Sequence, residues 1–188
     1  MQDILTEQVG PFVAWEAWAP LGEIELWAPV EPVEVGAEAA VEALRTAAAL
    51  LGGDEGPADG QPLGAAGVEA WAEALEGTAE VDRAGNAYTL AVLAAARADG
   101  AAFLRDLAAT FPGAAEPLAE AARALEEETK ALSPLITLFP FPSGGHGNVQ
   151  VPGLRRAAAM ALRRAARYER ECLAAIEAAI PLAEREAG

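Results

Sequence analysis

Histidine, cysteine and paired carboxylates are the side chains best suited to catalysis or metal binding. This 188-residue chain holds one histidine, one cysteine and 29 acidic residues. His146 lies in the loop sequence GGHGNV, where flanking glycines leave an imidazole accessible as a base or ligand. A single histidine cannot build a His cluster for a transition metal, and the plainer reading is a loop residue. The same glycines lack the lysine-bearing spacing of a phosphate loop. Cys172 sits beside Leu173 in an amphipathic stretch. A nucleophilic thiolate needs a lowered pKa and a nearby base, so a buried, inert thiol is the simpler expectation. Glu69 and Glu73 are four residues apart on one helix face, as are Glu116 and Glu120. Such pairs can share a proton or hold a divalent cation. Among so many acids they also arise by chance, and the Glu-x-x-His pattern of di-metal bundles is missing. No metal and no cofactor is expected.

Trp15, Trp18, Trp27, Trp71 and Tyr88 are the large aromatic residues best placed to line a pocket or a partner surface. Their plainer role is to anchor the N-terminal segment on a helical body. Asp82, Arg83 and Asn86 precede a long helical pattern. Asn86 reads as its N-cap, with hydrogen bonding at a pocket mouth as the functional alternative.

Composition narrows the classes of partner. Formal net charge is −16, with 13 basic residues. Residues 1–153 hold 6 basic and 24 acidic side chains, and residues 154–188 hold 7 and 5. An acidic body repels phosphate, so neither nucleic acid nor an anionic membrane is expected as a partner. The slightly basic last helix is expected to dock on an acidic neighbour. One cysteine allows no disulfide within the chain. Neither a leader pattern nor an apolar run of about 18 residues is present, and a cytoplasmic location is the expectation.

The elements that must position these residues are mostly helices. Residues 1–35 are rich in Trp and Pro and read as a short β or extended segment. Residues 36–188 read as a helical bundle domain. Helices are expected over 37–51, with Val41, Leu44, Ala48 and Leu51 inward, and over 67–77, with Val68, Trp71 and Leu75 inward. The Gly/Pro/Asp-rich stretch 53–67 between them reads as a loop. A long helix starts near Asn86, with Tyr88, Val92, Phe103 and Leu107 as its buried stripe and Leu93 and Leu104 widening it. Gly100 within it is a weak point or a place for a crossing helix. The next helix runs to about Leu132, with Leu118, Ala122, Leu125, Thr129 and Leu132 inward and Glu126, Glu127, Glu128 and Lys130 as a mainly solvated flank. Residues 133–153 read as a proline-broken connection. The last helix spans about 154–186, with Pro181 as a kink or stop. Alanine supplies 48 residues and, on inner faces, lets helices approach closely. The fold class is therefore mainly α, a compact antiparallel bundle of about five helices with a short N-terminal β or extended segment.

The segments GVEAWAEAL (67–75), GNAYTLAVLAAARADGAAFL (85–104), LSPLITLFPFP (132–142) and RRAAAMALRRAARYERECLAAIEAA (155–179) occur in this order. Together they resemble the helical C-terminal region of butirosin-biosynthesis-protein-H-like proteins and their papain-fold relatives, over roughly residues 30–185. Trp71, Gly85, Asn86, Tyr88, Arg97, Phe103 and Leu104 are the matching positions. The resemblance implies a helical region without the catalytic domain. The family's catalytic Cys and His belong to that preceding domain, and neither Cys172 nor His146 matches them. The butirosin member transfers an acyl group from a carrier protein to an aminoglycoside. This chain would then be an accessory domain, a fragment, or the partner of a separately encoded catalytic protein. The resulting expectation is a non-enzymatic helical domain that binds a protein partner, a second copy of itself or a small organic ligand. The alternative is part of a thiol-dependent acyltransferase or amide-bond enzyme whose catalytic residues lie elsewhere.

Overall fold

The computed structural model of the chain describes residues 36–53, 62–77, 80–145 and 147–188. All of them fall in the unit Val35–Gly188. The expected N-terminal β or extended segment, with Trp15, Trp18 and Trp27, lies outside the described residues, as does His146.

Of the described residues 87 % are helical and none is in a strand. The described residues form a mainly α bundle of five helices: α1 (Ala37–Gly52), α2 (Gly64–Gly77), α3 (Arg83–Thr110), α4 (Ala115–Leu138) and α5 (Pro152–Ala187). Single 3-10 turns, Pro112–Ala114 and Asn148–Gln150, follow α3 and precede α5. The last helix is the spine of the bundle. It packs along α4, α2 and α1, while α3 packs chiefly against α4.

Local chemistry explains the helix ends. Gly53 closes α1 in the left-handed conformation at φ 80°. Gly64 opens α2 at φ 58°, and a Cβ there would overlap the Leu51 carbonyl, so only glycine fits this approach. Helix α2 therefore begins three residues before the expected start, inside the stretch read as a loop. Asp82, not Asn86, caps α3: its carboxylate accepts from the Ala84 and Gly85 amides, each at 3.1 Å. Asp82→Ala should lower stability by about 1 kcal/mol in a urea melt. At the end of α4 the Asn148 side-chain amide donates to the Leu138 carbonyl at 2.9 Å. The Arg155 guanidinium, buried on α5, donates to the Leu75 and Ala74 carbonyls and so satisfies the last turn of α2.

Two prolines expected to break helices lie inside them. Pro134 sits within α4 and Pro181 within α5. Each removes one backbone donor, but the turns beyond them are held by burial. Leu135 and Phe139 are 4 % and 1 % exposed past Pro134, and Ala183 is fully buried past Pro181. Packing of those residues offsets a local helix cost of about 3 kcal/mol per proline.

The buried seam of each long helix follows alternating steps of three and four. In α3 it is Ala87, Leu90, Ala94, Arg97, Ala101 and Leu104. In α4 it is Leu118, Ala121, Leu125, Glu128, Leu132 and Leu135. In α5 it is Arg155, Ala158, Leu162, Ala165, Glu169, Cys172, Ile176, Ala179 and Ala183. The expected stripe of α3 is therefore rotated: Tyr88, Val92 and Phe103 are 47 %, 47 % and 42 % exposed, and of that set only Leu104 and Leu107 are buried. Small residues on the seam let α4 come close, as at Gly100, where an added Cβ would stand 3.0 Å from Leu125 Cδ1. The larger side chains of α3 are then left outside.

Alternating charges tie α5 to α2. Arg163 grips Glu76 through two hydrogen bonds of 2.8 and 2.7 Å, and Arg170 lies 2.5 Å from Glu69. The basic last helix thus docks on acidic residues of its own chain. Each exposed pair adds at most about 1 kcal/mol.

Candidate functional site

Each of the three long helices carries one charged residue at the same level of its seam. Arg97 on α3, Glu128 on α4 and Glu169 on α5 meet in a layer that separates two apolar core halves. One half gathers α1 with Leu104, Leu118, Leu125 and Ile176. The other gathers α2 with Leu90, Leu132, Leu135 and Leu162. Arg97 Nε donates to Glu128 Oε1 at 3.0 Å, and Arg97 Nη2 donates to Glu169 Oε1. The Arg97 side chain is 18 % exposed, Glu128 is fully buried and Glu169 is 1 % exposed. The second carboxylate oxygens, Glu128 Oε2 and Glu169 Oε2, are buried without a hydrogen-bond partner.

Two buried carboxyl groups facing one guanidinium leave a surplus negative charge or an extra proton. In a poorly polarisable core the proton is the cheaper occupant. Burial pushes the Glu128 carboxyl up to about 7 and repulsion from Glu169 adds to it, while attraction to Arg97 opposes the shift. Burial likewise raises Glu169 against the pull of Arg97. For Arg97, burial alone would lower its pKa, but the two carboxylates outweigh it and the net shift is upward. The layer thus holds a permanent cation and two carboxyl groups whose burial favours the protonated form.

An open cleft of about 510 Å³ leads to this layer between α2 and α3. Its walls are apolar: Leu63, Val68, Trp71, Leu75, Val81 and Leu93. Asn86, Thr89, Arg97 and Glu169 line it, with Glu80 and Asp82 as further acids. Glu169 lines the cleft although it is almost wholly covered, which places it at the floor. Trp71 forms a wall with a fixed ring: its indole Nε1–H donates to Asn86 Oδ1 at 2.9 Å. Asn86, buried in the first turns of α3, therefore lines the cleft and does not cap the helix. Arg97 also lines a smaller cavity of about 190 Å³ on its far side, beside Leu44, Gly100, Phe103 and Ile176.

Of the expected site residues, the structure brings Trp71, Asn86 and Arg97 to one cleft. Tyr88 does not line it. It is exposed on α3, with its ring 5.7 Å from that of Phe141. Cys172 is wholly buried one turn from Glu169, and burial pushes its thiol up to about 12. A thiol in that state is not a nucleophile at neutral pH. Glu69 and Glu120 face Arg170 and Arg123 respectively. Among the described residues, no group of three His, Cys, Asp or Glu side chains could hold a metal ion.

Glu128 and Glu169 are the candidate-site residues that sequence reasoning misses. Glu128, expected in a solvated flank, is fully buried. The available signal is register: continuing the alternating three-and-four spacing of apolar residues through each helix lands on Arg97, Glu128 and Glu169. Compared with known proteins, the chain matches no family model, no curated protein and no solved structure.

Proposed function

We propose that this chain is a helical binding domain for a small, largely apolar molecule held in the cleft between α2 and α3. One observation carries this reading. An apolar cleft of ligand size ends on a buried Arg–Glu–Glu layer that stability alone does not require. Buried ion pairs are seldom worth more than apolar residues of the same volume, so a charged seam layer opening on a cleft favours a binding role. Trp71 and Asn86 supply a rigid wall, and Leu93 and Val68 supply apolar contact. The resemblance to butirosin-biosynthesis-protein-H-like helical regions fits this reading, with any chemistry carried by another domain or chain.

The test follows the indole Nε1–H of Trp71 by NMR while small aromatic and aliphatic amines, alcohols and acids are added at millimolar concentration. Expected binders shift the Trp71 indole together with the amides of Val68 and Leu93, and Trp71→Ala abolishes their binding. Binders that move only residues away from the cleft, or none at all, would overturn the proposal.

A second reading, protein binding, is favoured by Tyr88, Val92 and Phe103 on the outward side of α3. It predicts that charged substitutions at Val92 and Phe103 leave the fold unchanged and abolish association with the partner.

A further inference from the structure

The charges around the cleft discriminate among classes of ligand. We infer that the cleft takes an organic ammonium ion, with an apolar body against Trp71 and its cationic nitrogen at Glu169. This rests on the proposed binding function and deepens it.

Charge balance favours a cation. Among the described residues, Arg97 is the only basic side chain that lines the cleft, while Glu80, Asp82 and Glu169 are acidic. Arg97 already donates to both buried carboxylates. It is therefore poorly placed to receive an anionic ligand, which would add to a surplus of negative charge. Glu169 Oε2 is the complementary group, a buried acceptor without a donor on a side chain at the cleft floor. An ammonium group supplies both the missing donor and the missing positive charge. With it, two cations face two carboxylates and the layer is neutral without an extra proton. The indole face of Trp71 adds a further attraction for a cation within about 6 Å of its ring.

The groups around Glu169 define the proton balance. Arg97 faces it from α3, Glu128 from α4, and Arg170 and Cys172 from its own helix. Of these, Glu128 titrates near neutral pH, and burial also favours the protonated form of Glu169. Docking of the ammonium ion favours the ionised carboxylates, and the proton they release passes to the buffer. No bond to the ligand forms or breaks.

The experiment compares phenethylammonium with the neutral 2-phenylethanol and the anionic 3-phenylpropionate, by Trp71 NMR shifts and by calorimetry at pH 6.5 in two buffers of different ionisation enthalpy. The ammonium ion should bind at least tenfold more tightly than the alcohol and release protons, and the anion should bind most weakly. Glu169→Gln, folded by circular dichroism, should reduce the preference for the ammonium ion to less than twofold. Equal binding of the alcohol and the ammonium ion at Trp71 would overturn the ammonium inference and leave the cleft proposal standing. A tenfold preference retained in Glu169→Gln would overturn the inference in the same way. Absence of a Trp71 response to all three compounds would overturn both. The order of affinity of the three compounds for the unmodified protein decides the inference even if the variant does not fold.

Discussion

Arg97→Met is expected to destabilise the protein by about 3–5 kcal/mol at pH 8, the largest effect of any single substitution in the charge layer. Methionine keeps much of the arginine's apolar stem, so the loss is mainly electrostatic. Without the guanidinium, Glu128 and Glu169 face each other across a seam with no positive charge and must either ionise unpaired or take up protons. A penalty of that size is a large share of a typical domain stability of about 5–15 kcal/mol. At pH 5 protonation of both carboxyl groups is easy, and the penalty should shrink to about half or less. The triple variant Arg97→Met, Glu128→Gln, Glu169→Gln should recover most of the loss at pH 8, because it removes the charges together. Urea melts of the three proteins at the two pH values check this. Arg97→Met with unmodified stability at pH 8 would mean that the layer is well solvated.

The second large effect is a pH dependence of opposite sign to that of an ordinary ion-paired carboxylate. Glu128 titrates at about 7 in the folded protein against an ordinary value of 4.5. Between those values the folded protein keeps a proton that the unfolded chain has released. The contribution of this group is therefore fully present below about pH 4.5, falls as pH rises, and is lost above about pH 7. The span corresponds to about 3 kcal/mol. Glu128→Gln mimics the protonated form and has no such slope. From pH 4.5 to 7.5 the wild type should lose about 3 kcal/mol relative to the variant. The difference between the two proteins is the useful quantity, because the acidic chain as a whole also loses stability as its charges accumulate. Parallel stability curves would contradict a buried, proton-holding Glu128.

The helical architecture is legible in the sequence because its signals are local. Gly52 and Gly53 mark the end of α1, and the apolar residues of α4 and α5 recur on one side. Leu118, Ala122, Leu125, Leu132, Ala158, Leu162 and Ile176 are all buried as their spacing implies. The face of α3 is not legible in the same way. Its largest residues, Tyr88, Val92 and Phe103, outweigh alanines in any hydrophobic stripe, yet close approach to α4 selects Ala87, Ala94 and Ala101 for the seam. Pro134 and Pro181 mislead for a related reason, since the burial that carries helices past them is a tertiary property. Trp71, Asn86 and Arg97 stand out as candidates in the sequence, but their union does not. The cleft joins α2 to α3 and to Glu169, which stands 98 positions beyond Trp71 in the chain. A charge at a seam position is visible in sequence only after the register of the seam is known. The Glu126–Glu128 run conceals it, because one member of an apparently solvated cluster faces inward.

Glu128 and Glu169 form a buried carboxyl pair around Arg97, and Glu169 stands at the floor of the cleft proposed to accept an ammonium ion. The most direct test is a titration of the glutamate side-chain carboxyl carbons by NMR, assigned with Glu128→Gln and Glu169→Gln, with and without phenethylammonium. The expected result is an apparent pKa near 7 for Glu128 and a raised one for Glu169 in the free protein, with a clear downward shift on binding. Titration of both groups in the ordinary carboxylate range near 4.5, unmoved by the ammonium ion, would contradict it.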